Sequence, residues 1–485
     1  MERVAGNGAG LALILAGAGL CAACATEPPK PPQPTLPAAF EAAEPSTPAE
    51  WPAADFLHSF GSAELDALAA RVEQGNFDIA VAAARVRQAD ARARQAGAAI
   101  LPTLDADGNA TQFSGRSHGV NGHELDWAAL LSASYELDFW GKNRAAARSA
   151  HAQASATRDQ LATVRMTALI GLASTYFQMQ SLRERGAVMQ LDVDNAERLL
   201  SVVEARFDAG SASTAELAAQ RAAVANARLP LSELRQQALE ARTALALLVG
   251  AAPEGFDVPV QSLDDIREPS LAAGLPAQLL QRRPDVMAAE ADLVAAHADL
   301  QAARAALYPD LTLTVQGGVQ NPAIQAGVLT LPGTGPALNL SAALVQSIFD
   351  GGRRRAVIDE AGGHEAELLA NYHAAIESAL IDVENALGQR QQLDEQRRAQ
   401  EDNLAQSQQA LQAAQLRYQQ GSGQFVAVLE AQRTLYAARD QYRQYRLGRL
   451  QAALSLSKAL GGGWQAGDGT TADPALARAG THTKP

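Results

Sequence analysis

The stretch WAALLSASYELDF (Trp127–Phe139) puts Trp127, Ala129, Leu131, Ala133, Tyr135, Leu137 and Phe139 in one row and Ser132, Ser134, Glu136 and Asp138 in the other. Period two, with one apolar and one polar face, is the pattern of a strand between lipid and water, and also of a half-buried strand in a soluble sheet. Three further stretches alternate in the same way. Leu311, Leu313 and Val315 interleave with Thr312, Thr314 and Gln316, and Leu338, Leu340, Ala342 and Leu344 with Asn339 and Ser341; Leu104 to Phe113 follows more weakly. Four such strands cannot close a membrane barrel, for which about eight is the minimum. An open edge in lipid leaves backbone polar groups unpaired. If these strands cross a membrane, the chain must oligomerise.

The strands belong to a repeat. Asp78 to Leu104 lies over Asp285 to Leu311, aligning Pro102 with Pro309 at a separation of 207 residues. Phe139-Trp140-Gly141-Lys142-Asn143-Arg144 falls over Phe349-Asp350-Gly351-Gly352-Arg353-Arg354, and Arg206 to Ser211 over Arg417 to Ser422. Each copy reads as a helix, a strand pair and a long helical pair. The helical pattern from Ala63 to Leu101 predicts one helix stopped by Pro102, since proline lacks the amide donor and clashes with the preceding turn. Proline-free runs follow Gly141 and Gly351 to about Phe207 and Tyr418, each long enough for about 100 Å of helix. Leu369, Ile376 and Val383, and Tyr372, Ala379, Ala386 and Leu393, form heptad rows. Turns at Gly210 and Gly421 lead into return helices ending near Gly250 and Gly461, the first of which Pro230 should kink or interrupt. The segments Gly115 to Glu124 and Pro322 to Gly335 read as external loops, with His118 and His123 as exposed loop histidines rather than a metal site.

Composition narrows the function. Aromatic residues make up only 5% of the chain, which disfavours a large globular core and suits close helix contacts through small residues. A formal charge of −13 with no basic run argues against nucleic acid as a partner. Both cysteines fall near the N-terminus and the histidines are scattered, so no nucleophile and base pair, metal-ligand spacing or cofactor motif emerges, and an enzyme is not expected. No later stretch has the roughly 18 apolar residues of a spanning helix.

The apolar run Leu11 to Leu20 after Arg3 reads as an export signal. Ala22 and Ala23 precede Cys24, the small residues wanted before a cysteine that receives lipid, whereas Leu20 precedes Cys21. Cys24 is therefore the expected lipid attachment site, and Ala25 after it is consistent with delivery to the outer membrane. The resulting division is 1–23 signal peptide, 24–55 lipid anchor and proline-rich tether, 56–250 first repeat, 251–280 linker, 281–464 second repeat and 465–485 tail.

With FLHSFGSAELDAL (Phe56–Leu68), YELDFWGKNR (Tyr135–Arg144), the run from Gln281 to Thr314 that opens QRRPDV, and the run from Tyr418 to Trp464, the chain resembles the outer membrane factor family, the TolC-type channels, and particularly their lipoprotein branch. The resemblance covers about Phe56 to Trp464. It implies a mainly α fold with a transmembrane β-barrel: a homotrimer whose twelve strands, four per chain, form one barrel continued by a long periplasmic α-helical barrel, with 251–280 in an equatorial region. It implies a passive exit duct of a tripartite efflux system, served by a periplasmic adaptor and an inner membrane transporter and set in outer membrane lipid. A duct for type I protein secretion is the alternative within this class, and a coiled-coil scaffold without a pore the alternative outside it.

The family closes its periplasmic end with carboxylates and an apolar ring at the start of the last long helix. Glu430 stands where an aspartate is usual and Val426, one turn earlier, where leucine is common; Ala427 replaces a second acidic residue and Gly423 a pinning arginine. Three symmetry-related carboxylates would repel one another and attract cations. Glu216, in the first repeat, is the other candidate for a contact that pins the gate. The turns Gly210-Ser211 and Gly421-Ser422 resemble the tips to which adaptors dock.

Overall fold

A computed structural model of the chain describes residues 36–42, 51–117, 120–271, 273–274, 276–321, 323–326, 329–332 and 335–464. After a 3-10 turn at Phe56–Phe60 come α1 (Ala63–Gly75), α2 (Phe77–Ala98), β1 (Thr103–Ser117), β2 (Val120–Glu136), α3 (Lys142–Asp208) and α4 (Thr214–Leu248). A connecting segment with a 3-10 turn at Leu263–Asp265 leads to the second series: α5 (Pro276–Leu279), α6 (Pro284–Ala305), β3 (Asp310–Asn321), β4 (Ala323–Ala326), β5 (Leu329–Pro332), β6 (Gly335–Val345), α7 (Arg353–Gln419) and α8 (Phe425–Ala459). The two series match in length. α2 and α6 have 22 residues each, α3 and α7 have 67, and α4 and α8 have 35.

The chain divides into two compact units. One holds Gln88–Ala156 and Ala289–Tyr372, the other the remaining described residues. The first unit contains an antiparallel sheet in the order β1-β2-β3-β6. Its register sets the faces, because residues paired across strands point the same way. Leu104 pairs with Ala133, Ala133 with Val315, and Val315 with Leu340. One face therefore carries Leu104, Ala106 and Ala110 of β1, Trp127, Leu131 and Tyr135 of β2, Leu313, Val315 and Val319 of β3, and Leu338, Leu340 and Leu344 of β6. The other carries Thr103, Asp105, Asp107, Ser132, Ser134, Thr312, Thr314, Gln316, Asn339 and Ser341. No strand residue whose burial is described is buried. β2 ends at Glu136 rather than running on to Phe139. Leu137 N still donates to Leu311 O at 2.8 Å, and Trp140 stacks on Tyr308 at 4.7 Å while its indole N–H donates to Pro309 O at 2.9 Å. Lys142 closes this exit by bridging Glu136 and Asp310, each at 2.7 Å.

The expected external loops are shorter than the sequence suggested. β1 runs to Ser117 and β2 begins at Val120, so most of 115–124 is ladder; 118 and 119, with His118, lie outside the described residues, as does the side chain of His123. The second connection contains the small β4–β5 hairpin.

The second unit has the core that the low aromatic content had argued against. Phe56, Phe60, Leu65, Leu68, Leu172, Tyr176, Phe177, Leu245 and Leu263 are fully or nearly buried together. Few aromatics suffice because they are gathered in one place, where each large buried side chain contributes about 2 kcal/mol. The helix expected from Ala63 to Leu101 is two helices, broken at Asn76. That side chain accepts from Asp78 N and Ile79 N, capping α2, and its Nδ2 donates to Leu248 O at the end of α4. A Cβ on Gly250, where φ is +70°, would lie 2.1 Å from Gly75 O, so two backbones meet here. In the second series Arg283 reaches Ala459 O, and a Cβ on Gly461 would lie 2.0 Å from Arg282 O. Pro230 does not interrupt α4, which is continuous through it. Burial of Leu231 and Leu234 on the same helix holds the turn that proline weakens. In α7 the heptad residues Ile376, Ala379, Val383 and Ala386 are buried as their spacing requires.

Candidate functional site

Two regions have the geometry of working parts. The first is the sheet. Among the described residues neither face is covered, and β1 and β6 are the outer strands with no partner on their far side. Leu104, Leu131, Leu338, Leu340 and Leu344 are all more than half exposed. A contiguous apolar face of this size on a soluble chain is a liability, and a sheet in lipid tolerates no free edge. Among the described residues no helix is long and apolar enough to cross a membrane.

The second region lies at the ends of the long helices. α3 turns into α4 through Gly210, at φ +71°, and α7 into α8 through Gly421, at φ +74°. At the first turn Ser211 N and Oγ both donate to Arg206 O, at 2.7 and 3.0 Å; at the second Ser422 N and Oγ donate to Arg417 O, at 3.0 and 3.2 Å. These bonds satisfy carbonyls that a helix end leaves open. The two ends share an apolar cluster of Val203, Leu217, Tyr418, Phe425 and Val428. Arg206 from the first lies 4.6 Å over the ring of Tyr418 from the second. Burial pushes the Tyr418 phenol up, Glu216 adds to the shift and Arg206 opposes it.

Val426 and Glu430 lie one turn apart on the exposed side of α8, opposite buried Phe425, Val428 and Gln432. Glu216 is not on a free face in the same way: its carboxylate accepts from Ser213 N at 3.0 Å while Ser213 Oγ accepts from Glu216 N at 3.1 Å, a reciprocal cap on α4. No hydrogen bond joins Glu216 and Glu430 among the described residues. Cys24 lies outside the described residues.

Above the turns, α8 is tied to α3 by charges that were not singled out in the sequence. Arg439 binds Asp192 at 2.5 Å, and Asp440 binds Arg185 at 2.6 Å. Arg443 reaches Glu184 and Asp264, and Arg446 also meets Asp264. Burial pushes the Asp192 carboxyl up to about 6 in spite of Arg439. Tyr436, which donates to Asp192 O at 3.1 Å, is pushed up to about 12 by burial and then by that carboxylate. The available signal was the spacing of Arg439, Arg443 and Arg446, which places them along one side of a helix. Their partners are more than 170 residues away in the chain and carry no local pattern.

A model of the family described as outer membrane efflux protein matches this chain over two segments, residues 68–251 and 275–462. The pyoverdine export outer membrane protein OpmQ of Pseudomonas aeruginosa is 44% identical over 418 residues, covering 84% of this chain and 87% of that protein. The cation efflux system protein CusC of Escherichia coli K12 is 28% identical over 388 residues, 80% of this chain and 84% of its own length. Among solved structures, the outer-membrane channel OprN has a TM-score of 0.81 at 25% identity, covering 90% of this chain and 99% of that one. The open state of the Neisseria gonorrhoeae MtrE outer membrane channel has a TM-score of 0.78 at 27% identity, covering 90% and 98%. With the family matched over both halves and the sheet and long helices shared with solved channels, this chain belongs to the outer membrane efflux protein family, the outer membrane factors.

Proposed function

We propose that the chain is the outer membrane exit duct of a tripartite efflux system for small molecules, working as a homotrimer with a periplasmic adaptor and an inner membrane transporter. The observation that carries this reading is the uncovered sheet: four strands with one apolar face and two open edges, too few to close, in a chain of this family. Three copies would give twelve strands and a closed barrel, with the long helices forming the periplasmic barrel. The paired helix lengths and the double match of the family model support an origin by duplication. The name of OpmQ, at 44% identity, makes pyoverdine the first cargo to test.

In this reading Cys24 carries lipid, 24–55 is the tether, Val426 and Glu430 face the pore as its periplasmic constriction, and Glu216 holds the neighbouring helix start. Gly210-Ser211 and Gly421-Ser422 are the adaptor-docking turns. Purified protein in planar bilayers should give a small, mostly closed, cation-selective conductance. Expression in cells deprived of their own pyoverdine exit duct should restore secretion. Folded protein that never enters bilayers would overturn the duct, and conductance with export of a protein but no pyoverdine would favour type I secretion. Cys24→Ala should abolish labelling by palmitate; labelling that persists would assign the lipid to Cys21.

A further inference from the structure

The two halves of the sheet superpose by number, and this predicts which residues meet where one chain ends and the next begins. A β1 residue moved on by 207 and a β2 residue moved on by 211 convert the pairs of the first hairpin from Thr103–Ser134 to Phe113–Glu124 into the observed pairs of the second. Leu104 and Ala133 become Leu311 and Leu344, and Thr103 and Ser134 become Asp310 and Val345, both of which are observed pairs. The shift of 207 is the one relating Phe77 of α2 to Pro284 of α6, and 211 relates Lys142 of α3 to Arg353 of α7. The helices thus give the same two shifts independently of the strands.

Between the halves lies the β2–β3 seam, where Ala133 pairs with Val315 and Leu131 with Gly317. The same operation carries β2 onto β6, and β3 back onto β1. Within one chain those two strands are the outer edges of the sheet and cannot meet. We propose that β6 of one chain pairs antiparallel with β1 of the next in this transferred register: Leu344 opposite Gly108, Ala342 opposite Ala110, Ser341 opposite Thr111 and Leu340 opposite Gln112. The inference rests on the trimeric duct and adds the register that closes it.

Two observations support the transfer. Faces agree at the new seam: Leu344, Ala342 and Leu340 lie on the apolar side of β6 and meet Gly108, Ala110 and Gln112, which lie on the same side of β1 as Leu104. A slip of one residue would instead turn an apolar row to the polar side. Exposure also points to a missing neighbour. Leu311, beside β2, is only partly exposed, whereas Leu104, at the same place in the first copy, is 72% exposed. Past the end of β6, Ile348 is 91% exposed; its counterpart Leu137 donates its N–H to Leu311 O. The transfer gives Ile348 N a matching acceptor, Leu104 O of the next chain.

The test is oxidative cross-linking of the full-length protein in outer membranes, with wild-type chain treated in parallel to register any bonding through its native cysteines. Ala110→Cys combined with Ala342→Cys should convert most of the chain to covalent dimer and trimer. Ala110→Cys with Leu338→Cys, four residues or about 13 Å along the strand, should give no more than wild type, because a disulfide needs Cβ atoms about 4 Å apart. Thr111→Cys with Ser341→Cys, the adjacent pair on the polar face, is the second positive. It covers both the case in which the apolar pair disturbs insertion and the alternation of hydrogen-bonded and non-bonded pairs. Cross-linking of the displaced pair equal to that of the matched ones overturns the register, as does silence from both matched pairs in protein that light scattering shows to be trimeric. Wild-type protein that is not trimeric would instead overturn the proposed function itself.

Discussion

The two turns at the ends of the long helices are built alike and fastened differently. Both place glycine at positive φ and both give a serine N–H and hydroxyl to the carbonyl of an arginine five residues earlier. Beyond the turn they diverge. α4 starts under the reciprocal cap of Ser213 and Glu216, while α8 starts after Gln424, which makes no side-chain cap, with Ala427 where Glu216 would stand. A capping box contributes about 1 kcal/mol. Turns built alike therefore need not be equally stiff: by capping alone the first turn of α8, which carries Val426 and leads into Glu430 one turn later, is held less firmly than that of α4. Its freedom ends about three turns later, where Arg439 and Asp440 bind α3.

Removing that restraint should have the largest effect. Arg439→Leu should cost about 3 kcal/mol at neutral pH, since it leaves the Asp192 carboxylate buried without its partner. Thermal unfolding of the detergent-solubilised protein measures it. Because the folded Asp192 titrates at about 6 rather than 3.8, the folded chain holds more protons than the unfolded one between these values. Its contribution to stability is therefore most favourable below about pH 4 and declines as pH rises through 6. The penalty of Arg439→Leu should shrink on acidification; a pH-independent loss would show that Asp192 is not the group responsible.

Exchanging the caps sharpens the contrast. Ser213→Ala should speed amide exchange in the first turn of α4 by about fivefold, the equivalent of about 1 kcal/mol. Gln424→Ser with Ala427→Glu should slow exchange in the first turn of α8 by a similar factor and lower the open probability of the channel. Unchanged exchange in both would mean that other packing sets the stiffness of these ends. The smallest change expected is in Glu430→Ala, which should raise single-channel current by a factor of about two while reducing cation preference, through loss of a ring of like charge at a constriction. Current and selectivity both unaltered would remove Glu430 from the constriction.

Much of the architecture is legible along the chain. Period-two rows announced four strands, Gly210, Gly421, Gly250 and Gly461 marked the ends of the long and return helices, and heptad rows in α7 named residues that are buried. All are local signals, carried by neighbours within a few turns or along one strand. Asn76 does not announce a break, because asparagine is both a good helix cap and a tolerable helix interior residue; its bond to Leu248 O, far away in the chain, decides between them. Local chemistry predicts that Pro230 kinks or interrupts its helix; α4 is continuous through it, with Leu231 and Leu234 buried on the following turn. The candidate site divides in the same way. The two glycine turns and the Ser213-to-Glu216 capping spacing are local signals, and Val426 and Glu430 are named by the family resemblance, but the contact of Arg206 with Tyr418 and the Asp192–Arg439 pair carry no such mark.

What the chain carries locally is the polarity of each strand and the ends of the long helices, because side chains two, four or seven residues apart report the conformation of their own segment. The tertiary structure decided which rows share a face and which charges pair across helices. Those depend on register between segments far apart in the chain, where a slip of one residue reverses every contact without changing any local pattern.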